Sequence, residues 1–404
     1  MKILVINSGS SSIKFQLLDM ESDQVLAGGV VAKIGEEGSY LKYRTIGEGI
    51  RKEVPIPSHR EGFELAIKVL LDKDHGVIKD ISEISAVGHR TVHGGDAFTK
   101  STLITEEVIK KMEECIPLAP LHNPSNILGI QEAKKLLPGI PQVAVFDTSF
   151  HQTMPKKAYL YALPCDYYQK YHIRKYGFHG TSCRYVSQRA AAMLKRPLDQ
   201  LKMIICHLGN GVTIDAVDRG KSVDTSMGLT PLEGPMMGTR SGDIDPGVVT
   251  FLSRELGLGI DSIDNLLNTE SGLLGISGVS NDVREILEQA DKDNDRCKLA
   301  IEMFAYRIKK YIGAYAAALG GIDALVFTAG IGENAHQIRS MVCKDLGFLG
   351  IVLDEERNQK MIGVEGFING PDSRVAILVI PTDEERMIAL DTLRIARESK
   401  GSHH

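Results

Sequence analysis

Small polar residues and a lysine, set between two apolar runs, form the first segment of the chain that could bind an anion. The segment extends from Asn7 through Ser12, and Lys14 follows it. Serine and glycine let backbone amides come close to a phosphate, and a nearby lysine adds positive charge. The spacing of a Walker A loop is missing, and no helical pattern follows as in a dinucleotide-binding fold. Because serine and glycine also dominate ordinary turns, phosphate binding and a plain hairpin are equally open here.

Two further glycine-rich segments follow apolar runs. The segment at 207–211 repeats the order strand, turn, strand of the first, so a triphosphate could be held from two sides. The segment at 330–334 could form an open shelf for adenine or ribose, although a simple strand-to-helix connection is the commoner use of such a sequence. The residues are His207, Leu208, Gly209, Asn210 and Gly211 in the second segment, and Gly330, Ile331, Gly332, Glu333 and Asn334 in the third.

Charged and titratable residues stand in glycine-rich or strand-end surroundings. Arg90 and Arg240 suit forked recognition of carboxylate or phosphate, whereas a surface salt bridge is the ordinary role of a single arginine. Asp147 follows an apolar strand and could instead cap the next turn. His179 has glycines close on both sides, although a lone histidine is more often structural. The acidic segment 383–385 could cap a final helix or supply a carboxylate to Mg²⁺.

The elements that must position these residues alternate between β-rich and helical patterns, which favours an α/β fold. The turns at 7–12 and 207–211 are each expected to join two strands of a hairpin. The architecture of the first hairpin is thus repeated later in the chain, which indicates two related domains. We predict strands at 3–6, 13–18, 142–146, 203–206, 212–217, 324–328 and 375–380, and helices at 61–72, 105–114, 185–194, 298–319 and 385–398.

Bulk properties restrict the class of protein. The chain has 404 residues, which favours two domains, and a net charge of −5, which does not attract nucleic acid or an anionic membrane. Its six cysteines are scattered, as free thiols in a reducing compartment would be. No signal-peptide pattern and no membrane-spanning apolar run is found. We therefore expect a cytoplasmic protein, and we interpret residues 401–404 as the remnant of an expression tag.

Taken together, the motifs resemble those of the acetate kinase family, within the larger group of sugar kinases, actin and the Hsp70 ATPase domain. The resemblance covers residues 1–398. It implies two related domains of the actin-like ATPase (ribonuclease H-like) fold with an active-site cleft between them. The N-terminal domain would comprise residues 1–150, joined by the helix 385–398, and a nucleotide-binding domain would comprise 151–384. The motifs lie at 5–14, 88–95, 146–151, 176–182, 207–211, 237–246, 282–284, 330–334 and 381–385.

The resemblance also implies an activity and a set of roles. The family transfers the γ-phosphoryl group of ATP reversibly to acetate, giving acetyl phosphate and ADP, with Mg²⁺ or alternatively Mn²⁺, and works as a homodimer. One departure is visible, because Asp383 stands where the family usually has asparagine. The implied roles are metal binding for Asn7 and Glu384; ATP binding for Lys14, 207–211, Asp282, Val283, Arg284 and 330–334; substrate and phosphoryl binding for Arg90 and Arg240; an acid/base for Asp147; transition-state stabilisation for His179; and an acyl pocket of Val92, Leu121, Phe178 and Pro231.

Elementary chemistry modifies one of these roles and leaves alternatives open. A carboxylic acid with a pKa of about 4–5 is already ionised at neutral pH, so its phosphorylation needs little proton abstraction. We therefore favour an orienting role for Asp147 over that of a general base. A propionate or butyrate kinase with a larger pocket is the first alternative, and a nucleotide-switch ATPase on the same fold is the second. Helix 298–319 is a candidate interface of the dimer.

Overall fold

The computed structural model describes residues 1–47, 49–120 and 122–401. Within them the chain forms two compact units. The first comprises Met1–Ser149 and the segment that begins at Asp383, and the second comprises Phe150–Thr382. The chain therefore leaves the first unit once and returns to it near its C-terminal end. None of the helices in these ranges is both long and apolar enough to cross a membrane.

The first unit is built on one mixed sheet of eight strands. The first two strands form an antiparallel hairpin in which Ser8 pairs with Ile13, and the Gly9 amide donates to the Ser12 carbonyl over 2.8 Å. The strands are β1 (Lys2–Ser8), β2 (Ser12–Asp19), β3 (Gln24–Ala32), β4 (Tyr40–Thr45), β5 (Gly49–Glu53), β6 (Ile84–Thr91), β7 (Thr102–Leu103) and β8 (Gln142–Phe146), in the sheet order β5-β4-β3-β2-β1-β6-β8-β7.

Alternation of apolar and polar side chains along β2 sends one face of the sheet into a core. Ile13 and Leu17 are fully buried, and Lys14 between them is exposed on the other face. The buried face packs against two helices, which contribute Phe63 and Ala133 to the same cluster. The helices of this part are α1 (His59–Leu70), α2 (Glu106–Glu114) and α3 (Asn123–Leu136).

The second unit is built on a mixed sheet of six strands that repeats the central topology of the first. In both sheets a hairpin lies beside two further strands that run parallel to its first strand. The predicted architectural repeat is thereby confirmed. The strands are β9 (Lys202–Leu208), β10 (Val212–Asp218), β11 (Lys221–Thr225), β12 (Ala324–Thr328), β13 (Gly366–Phe367) and β14 (Ala376–Val379), in the order β11-β10-β9-β12-β14-β13.

Eleven helices accompany this second sheet in the described chain. Helix α11 is the longest, with 25 residues; the Asn294 side chain caps its first turn, and Gly320 ends it in a left-handed conformation. The helices are α4 (Lys156–Tyr159), α5 (Cys165–Tyr171), α6 (Gly180–Leu194), α7 (Pro246–Leu256), α8 (Ile260–Thr269), α9 (Gly272–Ser277), α10 (Val283–Ala290), α11 (Asp295–Leu319), α12 (Ala329–Asn334), α13 (His336–Cys343) and α14 (Glu355–Lys360).

The last helix, α15 (Glu384–Gly401), belongs to the first unit. The Asp383 side chain accepts a 2.9 Å hydrogen bond from the Arg386 amide at the start of this helix, which is the capping role left open above. Ile388 and Ala389 of α15 pack on Ile3 and Val5 of the sheet face opposite α1 and α3. The C-terminal helix thus completes a core whose strands lie more than 200 residues earlier in the chain, if residues 3–146 are compared with residues 388–396.

The predicted strands and helices are present, with shifts at their ends. The main difference concerns β9, which was expected to stop at residue 206 but continues through His207 and Leu208. The reason is pairing, because Leu208 still lies opposite Val212 of β10. The turn therefore contains only Gly209, Asn210 and Gly211. The segment 329–334, expected as an open shelf or a simple connection, is the short helix α12.

Candidate active site

In the first unit Arg90 lies between two carboxylates. Its Nη2 donates to Oδ2 of Asp147 over 2.6 Å, and its Nε lies 3.5 Å from Oε2 of Glu384. Asp147 is only 1% exposed, because it follows the buried strand β8. These carboxylates raise the pKa of the Arg90 guanidinium above its usual value, Asp147 contributing most. Arg90 is consequently held as a fixed cation.

Asn7, Lys14, Arg90 and Glu384 line one cavity of about 680 Å³ in the first unit. Asn7 lies directly opposite Lys14 in the hairpin, and residues 6 and 89 pair in the neighbouring parallel strands. Adjacent strands thus present these side chains at one edge of the sheet. Asn7 and Glu384, to which the resemblance assigned metal binding, thus line the same cavity.

The donor atoms at this edge fit a magnesium ion. Mg²⁺ prefers oxygen ligands and is commonly held by one or two carboxylates together with water and phosphate oxygens. Glu384 offers a carboxylate and Asn7 an amide oxygen. Burial raises the pKa of the Glu384 carboxyl to about 7, against the opposing effect of Arg90, so a divalent cation would be a favourable partner for it. Across the described residues, no group of three or more His, Cys, Asp and Glu side chains could hold a metal by itself.

In the second unit the turn between β9 and β10 brings a histidine and an arginine together. A Cβ atom placed on Gly211 would lie 3.2 Å from Cε1 of His179 and 3.3 Å from Nη1 of Arg240. Both side chains therefore approach the same point of the turn. The ring of His179 also stacks on that of His207, with 4.1 Å between centroids, and its Nδ1 lies 2.9 Å from Oγ1 of Thr213.

Arg240 has no ion-pair partner in the described part of the chain. Its Nη1 donates to the Pro231 carbonyl over 3.3 Å and lies 3.7 Å from the Met237 sulfur. Burial lowers the pKa of this guanidinium, since no neighbouring charge compensates the loss of hydration. A half-buried cation with these weak partners is a strong site for an incoming anion.

Three loops converge on Asn210. Its backbone carbonyl accepts from the Gly238 amide over 3.0 Å, and its Oδ1 accepts from Nδ2 of Asn281 over 3.0 Å. A side chain at Gly238 would collide with Asn210, since a Cβ there would lie 1.9 Å from Oδ1. A side chain at 238 would therefore displace the Asn210 amide from its contact with Asn281. Asn281 was not identified from the sequence, although it directly precedes the motif at 282–284.

The remaining predicted nucleotide residues have local contacts. Asp282 caps α10 and is ion-paired with Arg284 at the surface, with 2.5 Å between Oδ2 and Nη2. Glu333 accepts a 3.0 Å hydrogen bond from the Thr382 amide. Gly330 is exposed, and a Cβ there would meet no atom within 4 Å. Gly209 lies near α12, because its Cβ position is 3.9 Å from that of Ala329. The turn and the helix thus border one another.

Of the predicted acyl-pocket residues, Val92 in the first unit and Phe178 in the second are buried. Pro231 is partly exposed, and its carbonyl is the acceptor from Arg240. Leu121 lies outside the described residues. The apolar character expected of a small acyl group's surroundings is present at Val92 and Phe178 within their own units.

Arg339 is a further residue that the sequence did not single out. Its side chain is fully buried, and it donates to the carbonyls of Gly332 and Glu333 over 2.8 and 3.0 Å. It also donates to Oδ1 of Asn358 over 2.7 Å. Arg339 thereby fixes the backbone of α12 through two of its carbonyl groups. The only sequence signal was an arginine five positions after Asn334, which is too weak to separate from a surface residue.

Comparison with known proteins gives a consistent result. The family model of the acetokinase family matches residues 2–390. An acetate kinase of Halothermothrix orenii is 58% identical over 98% of this chain and 99% of its own. A crystal structure of the Porphyromonas gingivalis acetate kinase superposes with a TM-score of 0.94 at 54% identity, covering 98% of this chain and 99% of that one. A propionate kinase from Francisella tularensis gives 0.91 at 45% identity with the same coverages.

Proposed function

Because the chain belongs to the acetokinase family, we propose that it is an acetate kinase, which reversibly transfers the γ-phosphoryl group of ATP to acetate and forms acetyl phosphate and ADP. The observation that carries this proposal is the cation Arg240. It stands beside His179 and the glycine turn at Gly211 without an ion-pair partner in the described chain. Such a group can receive a phosphoryl group without first breaking an internal salt bridge.

The chemical difficulty is repulsion between two anions. Acetate is ionised at neutral pH, and it must approach a negatively charged phosphate. We assign the acceptor carboxylate to Arg90 and the moving phosphoryl group to Arg240 and His179. Fixed positive charge aimed at the transferring oxygens is the main way in which proteins lower such barriers. No covalent intermediate is required, and we propose direct in-line transfer.

Asp147 is proposed to orient Arg90 and not to act as a base. Its carboxylate accepts from the Arg90 guanidinium over 2.6 Å, and its amide donates to the Thr91 carbonyl over 2.9 Å. Both contacts fix the geometry of the arginine. An acceptor that is already ionised has no proton to lose, so a general base would gain nothing.

Asn7 and Glu384 are the residues that would hold Mg²⁺, with Mn²⁺ as an alternative. A divalent cation supplies charge neutralisation to the phosphate oxygens. Lys14 lies beside Asn7 in the same hairpin and extends positive charge towards the phosphates. Nucleotide binding is assigned to Lys14 and to the segments 207–211, 282–284 and 330–334.

The acyl pocket decides between acetate and its longer homologues. We assign the pocket to Val92, Leu121, Phe178 and Pro231. A propionate kinase is the second candidate, favoured by the 45% identity to the Francisella tularensis protein of that name. One methylene changes discrimination by only about 1–3 kcal/mol, so propionate should react measurably even if acetate is preferred. A nucleotide-switch ATPase is disfavoured, because it has no use for an acyl pocket.

The test is ADP formation with acetate, propionate and butyrate in parallel, with the acyl phosphate trapped by hydroxylamine. We expect the highest kcat/KM with acetate and no ADP formation without an acid. ADP formation that does not depend on a carboxylic acid would contradict the kinase and favour the ATPase. A kcat/KM that is higher for propionate would move the assignment to a propionate kinase.

We also propose a cytoplasmic homodimer. The six cysteines are free, five of them buried, as expected of a reducing compartment. Large apolar side chains are exposed on helices of the second unit, among them Phe251 on α7 at 60%, Ile260 on α8 at 70% and Tyr306 on α11 at 61%. Contiguous exposed apolar patches mark association surfaces, and we assign these side chains to such a surface. Sedimentation velocity should give twice the mass of the chain, and a single species of monomer mass would refute the dimer.

A further inference from the structure

Three polar side chains that have no role assigned above form a fully buried cluster in the second unit. His151 belongs to the short turn Ser149–Thr153, Asp215 to β10 and Ser222 to β11, and each is 0% exposed. Nδ1 of His151 lies 2.8 Å from Oγ of Ser222, which lies 2.7 Å from Oδ1 of Asp215. Polar groups are rarely buried so completely unless they are hydrogen-bonded, as these three are to one another.

The other ring nitrogen of His151 reaches the proposed site. Its Nε2 lies 2.9 Å from the carbonyl oxygen of Phe178. A carbonyl oxygen can only accept, so Nε2 must carry a proton. The tautomer of a histidine is set by the partner of its second nitrogen, which here is Ser222.

Two arrangements with the same number of protons are compatible with the contacts in this chain of groups. In the first, Ser222 donates to Asp215 and accepts from a doubly protonated His151. In the second, a protonated Asp215 donates to Ser222, which donates to Nδ1 of a neutral His151. Both contain the same number of protons, and both keep the Nε2–H of His151 directed at Phe178. The donation to the Phe178 carbonyl is therefore independent of where the shared proton lies.

This donation fixes a backbone segment that would otherwise be unfavourable. Phe178 lies between two residues with left-handed backbones, Gly177 at φ +76° and His179 at φ +56°. The second is not glycine and costs about 1–2 kcal/mol. The His151 ring also occupies the space beside residue 177, because a Cβ there would lie 2.8 Å from Cδ2 of His151 and 2.3 Å from a methyl group of Thr225. His151 thus lies beside residue 177 and is hydrogen-bonded to residue 178.

The segment so held carries two residues of the proposed site. Phe178 is the proposed wall of the acyl pocket, and His179 is the proposed partner of the phosphoryl group. The peptide that joins them is the one whose carbonyl accepts from His151. A rotation of that peptide would move the Phe178 ring and the His179 imidazole together.

We propose that His151, held by Ser222 and Asp215, is a positioning residue that sets both the acyl selectivity and the rate of phosphoryl transfer through the Phe178–His179 peptide. This inference rests on the proposed function. His151 itself touches neither substrate.

The experiment compares three variants of the full-length chain. His151→Leu removes the donor to Phe178, whereas His151→Gln places an amide N–H near the position of Nε2. Thr153→Val is the matched control, because Thr153 is an exposed residue of the same short turn whose hydroxyl donates to the Ser222 carbonyl over 2.7 Å, and it makes no hydrogen bond to Phe178 among the described contacts.

We expect His151→Leu to lower kcat with acetate by about ten- to hundredfold, the range that corresponds to an unsatisfied buried carbonyl. Its ratio of kcat/KM for propionate and acetate should change, and its KM for ATP should not. His151→Gln and Thr153→Val should remain within about threefold of the unaltered protein in kcat. Equal losses in the Gln and Leu variants, or an unchanged acid ratio in a folded Leu variant, would overturn the proposal.

A readout without substrates separates this inference from the function. The Cε1–H signal of His179 in the ligand-free protein, followed by NMR with labelled histidine, should shift in His151→Leu and stay in Thr153→Val. If the His179 signal does not shift in any variant, His151 does not position His179. Failure of the proposed function would appear instead as no acetate-dependent ADP formation in the unaltered protein.

Discussion

Arg240 combines partial burial with the absence of an ion-pair partner in the described chain. Arginines of this kind are uncommon, because desolvation is normally offset by a carboxylate. We predict that Arg240→Gln lowers kcat by about 10²–10³-fold, the loss seen when one electrostatic donor to a developing charge is removed. Steady-state kinetics with acetate and ATP checks this. Circular dichroism should be unchanged, since few structural contacts are lost.

Arg254, an exposed residue in the last turn of α7, is the matched control for charge. Arg254→Gln removes the same charge from the second unit and should leave kcat within about twofold, as expected of a surface substitution. If both variants lost activity equally, the effect would come from net charge and not from the site.

Val92 is 8% exposed, and its backbone amide donates to Oδ1 of Asn126 over 2.9 Å. The backbone is therefore anchored independently of the side chain. We predict that Val92→Ala raises the ratio of kcat/KM for propionate over acetate by about tenfold, because the space of two methyl groups is worth about 1–3 kcal/mol of discrimination. The measurement is initial rates with both acids. An unchanged ratio would remove Val92 from the acyl pocket.

The sequence predicted those site residues whose role follows from their own type and their close neighbours in the chain. It missed those whose role depends on contacts with residues far away in the chain. The glycines at 209 and 211 and the arginines at 90 and 240 stand out by type and spacing alone. His151 and Arg339 do not, because their partners lie up to 71 residues away in the chain. Glu333 was assigned to the nucleotide, yet its carboxylate also accepts from the Thr382 amide 49 residues later. Such contacts follow from tertiary packing.

At the scale of elements, strand pairing explains the difference between expectation and structure. The polar His207 suggested the end of β9, but the hairpin continues to Leu208, because His207 pairs with both β10 and β12 and Leu208 still pairs with β10. A buried strand tolerates a histidine when the ring has a hydrogen-bond partner. For His207 that partner is Ser182, whose Oγ lies 2.8 Å from Nδ1 of the ring. The elements that we predicted are present with the right type and order, but the last residue of β9 was wrong, and the helix α12 was not expected.

Two helical glycines should respond in opposite directions to the same substitution. Gly129 of α3 lies against β1, where an added Cβ would be 2.5 Å from that of Ser8, whereas a Cβ on Gly313 of α11 would meet no atom within 4 Å. We predict that Gly129→Ala destabilises by about 1–3 kcal/mol through overpacking. Gly313→Ala should stabilise by about 0.5–1 kcal/mol through helix propensity.

Hydrogen exchange of amides in β1 and in α11, respectively, measures these changes. Because Ser8 directly follows Asn7, Gly129→Ala should also weaken binding at the first turn. Stabilisation by both substitutions would mean that α3 does not determine the position of β1.

The central strand β6 contains a histidine that should make the first unit sensitive to acid. Burial lowers the pKa of His89 from its usual value near 6.5 to about 4, while its Nε2 lies 2.8 Å from Oε1 of Gln142. The folded state thus binds the proton less readily than the unfolded state. The stability contributed by neutral His89 is present above pH 6.5 and is lost as the pH falls towards 4.

Between pH 7.5 and pH 5 this loss should amount to about 2 kcal/mol. Exchange of the β6 amides at both pH values gives the free energy of opening. His89→Gln has no titrating group in this range, so its loss between the two pH values should be smaller by that amount. Equal losses in both proteins would show that His89 is not protonated on unfolding in this range.

The whole molecule places the two ends of the chain in one unit, so the stability of that unit depends on its last segment. Helix α15 covers the sheet face that carries Ile3, Val5 and Val143. It approaches β6 so closely that a Cβ on Gly88 would lie 2.3 Å from Oγ1 of Thr392. Without α15 that face would be exposed to water, and each Å² of exposed apolar surface would cost about 25 cal/mol of stability. The sheet of the second unit contains no part of this segment.

We therefore predict that a chain ending after Thr382 loses the fold of the first unit and keeps that of the second. Exchange measured by mass spectrometry should show rapid exchange in β1, β6 and β8 and retained protection in β9, β12 and β14. A chain that ends after Ser399 is the control and should show protection throughout, because it keeps the four α15 residues of the buried cluster, Ile388, Ala389, Ile395 and Ala396. Retained protection of β6 in the shorter chain would show that the sheet of the first unit is stable with one face uncovered. Loss of protection in β9 as well would show that the second unit requires the first in order to fold.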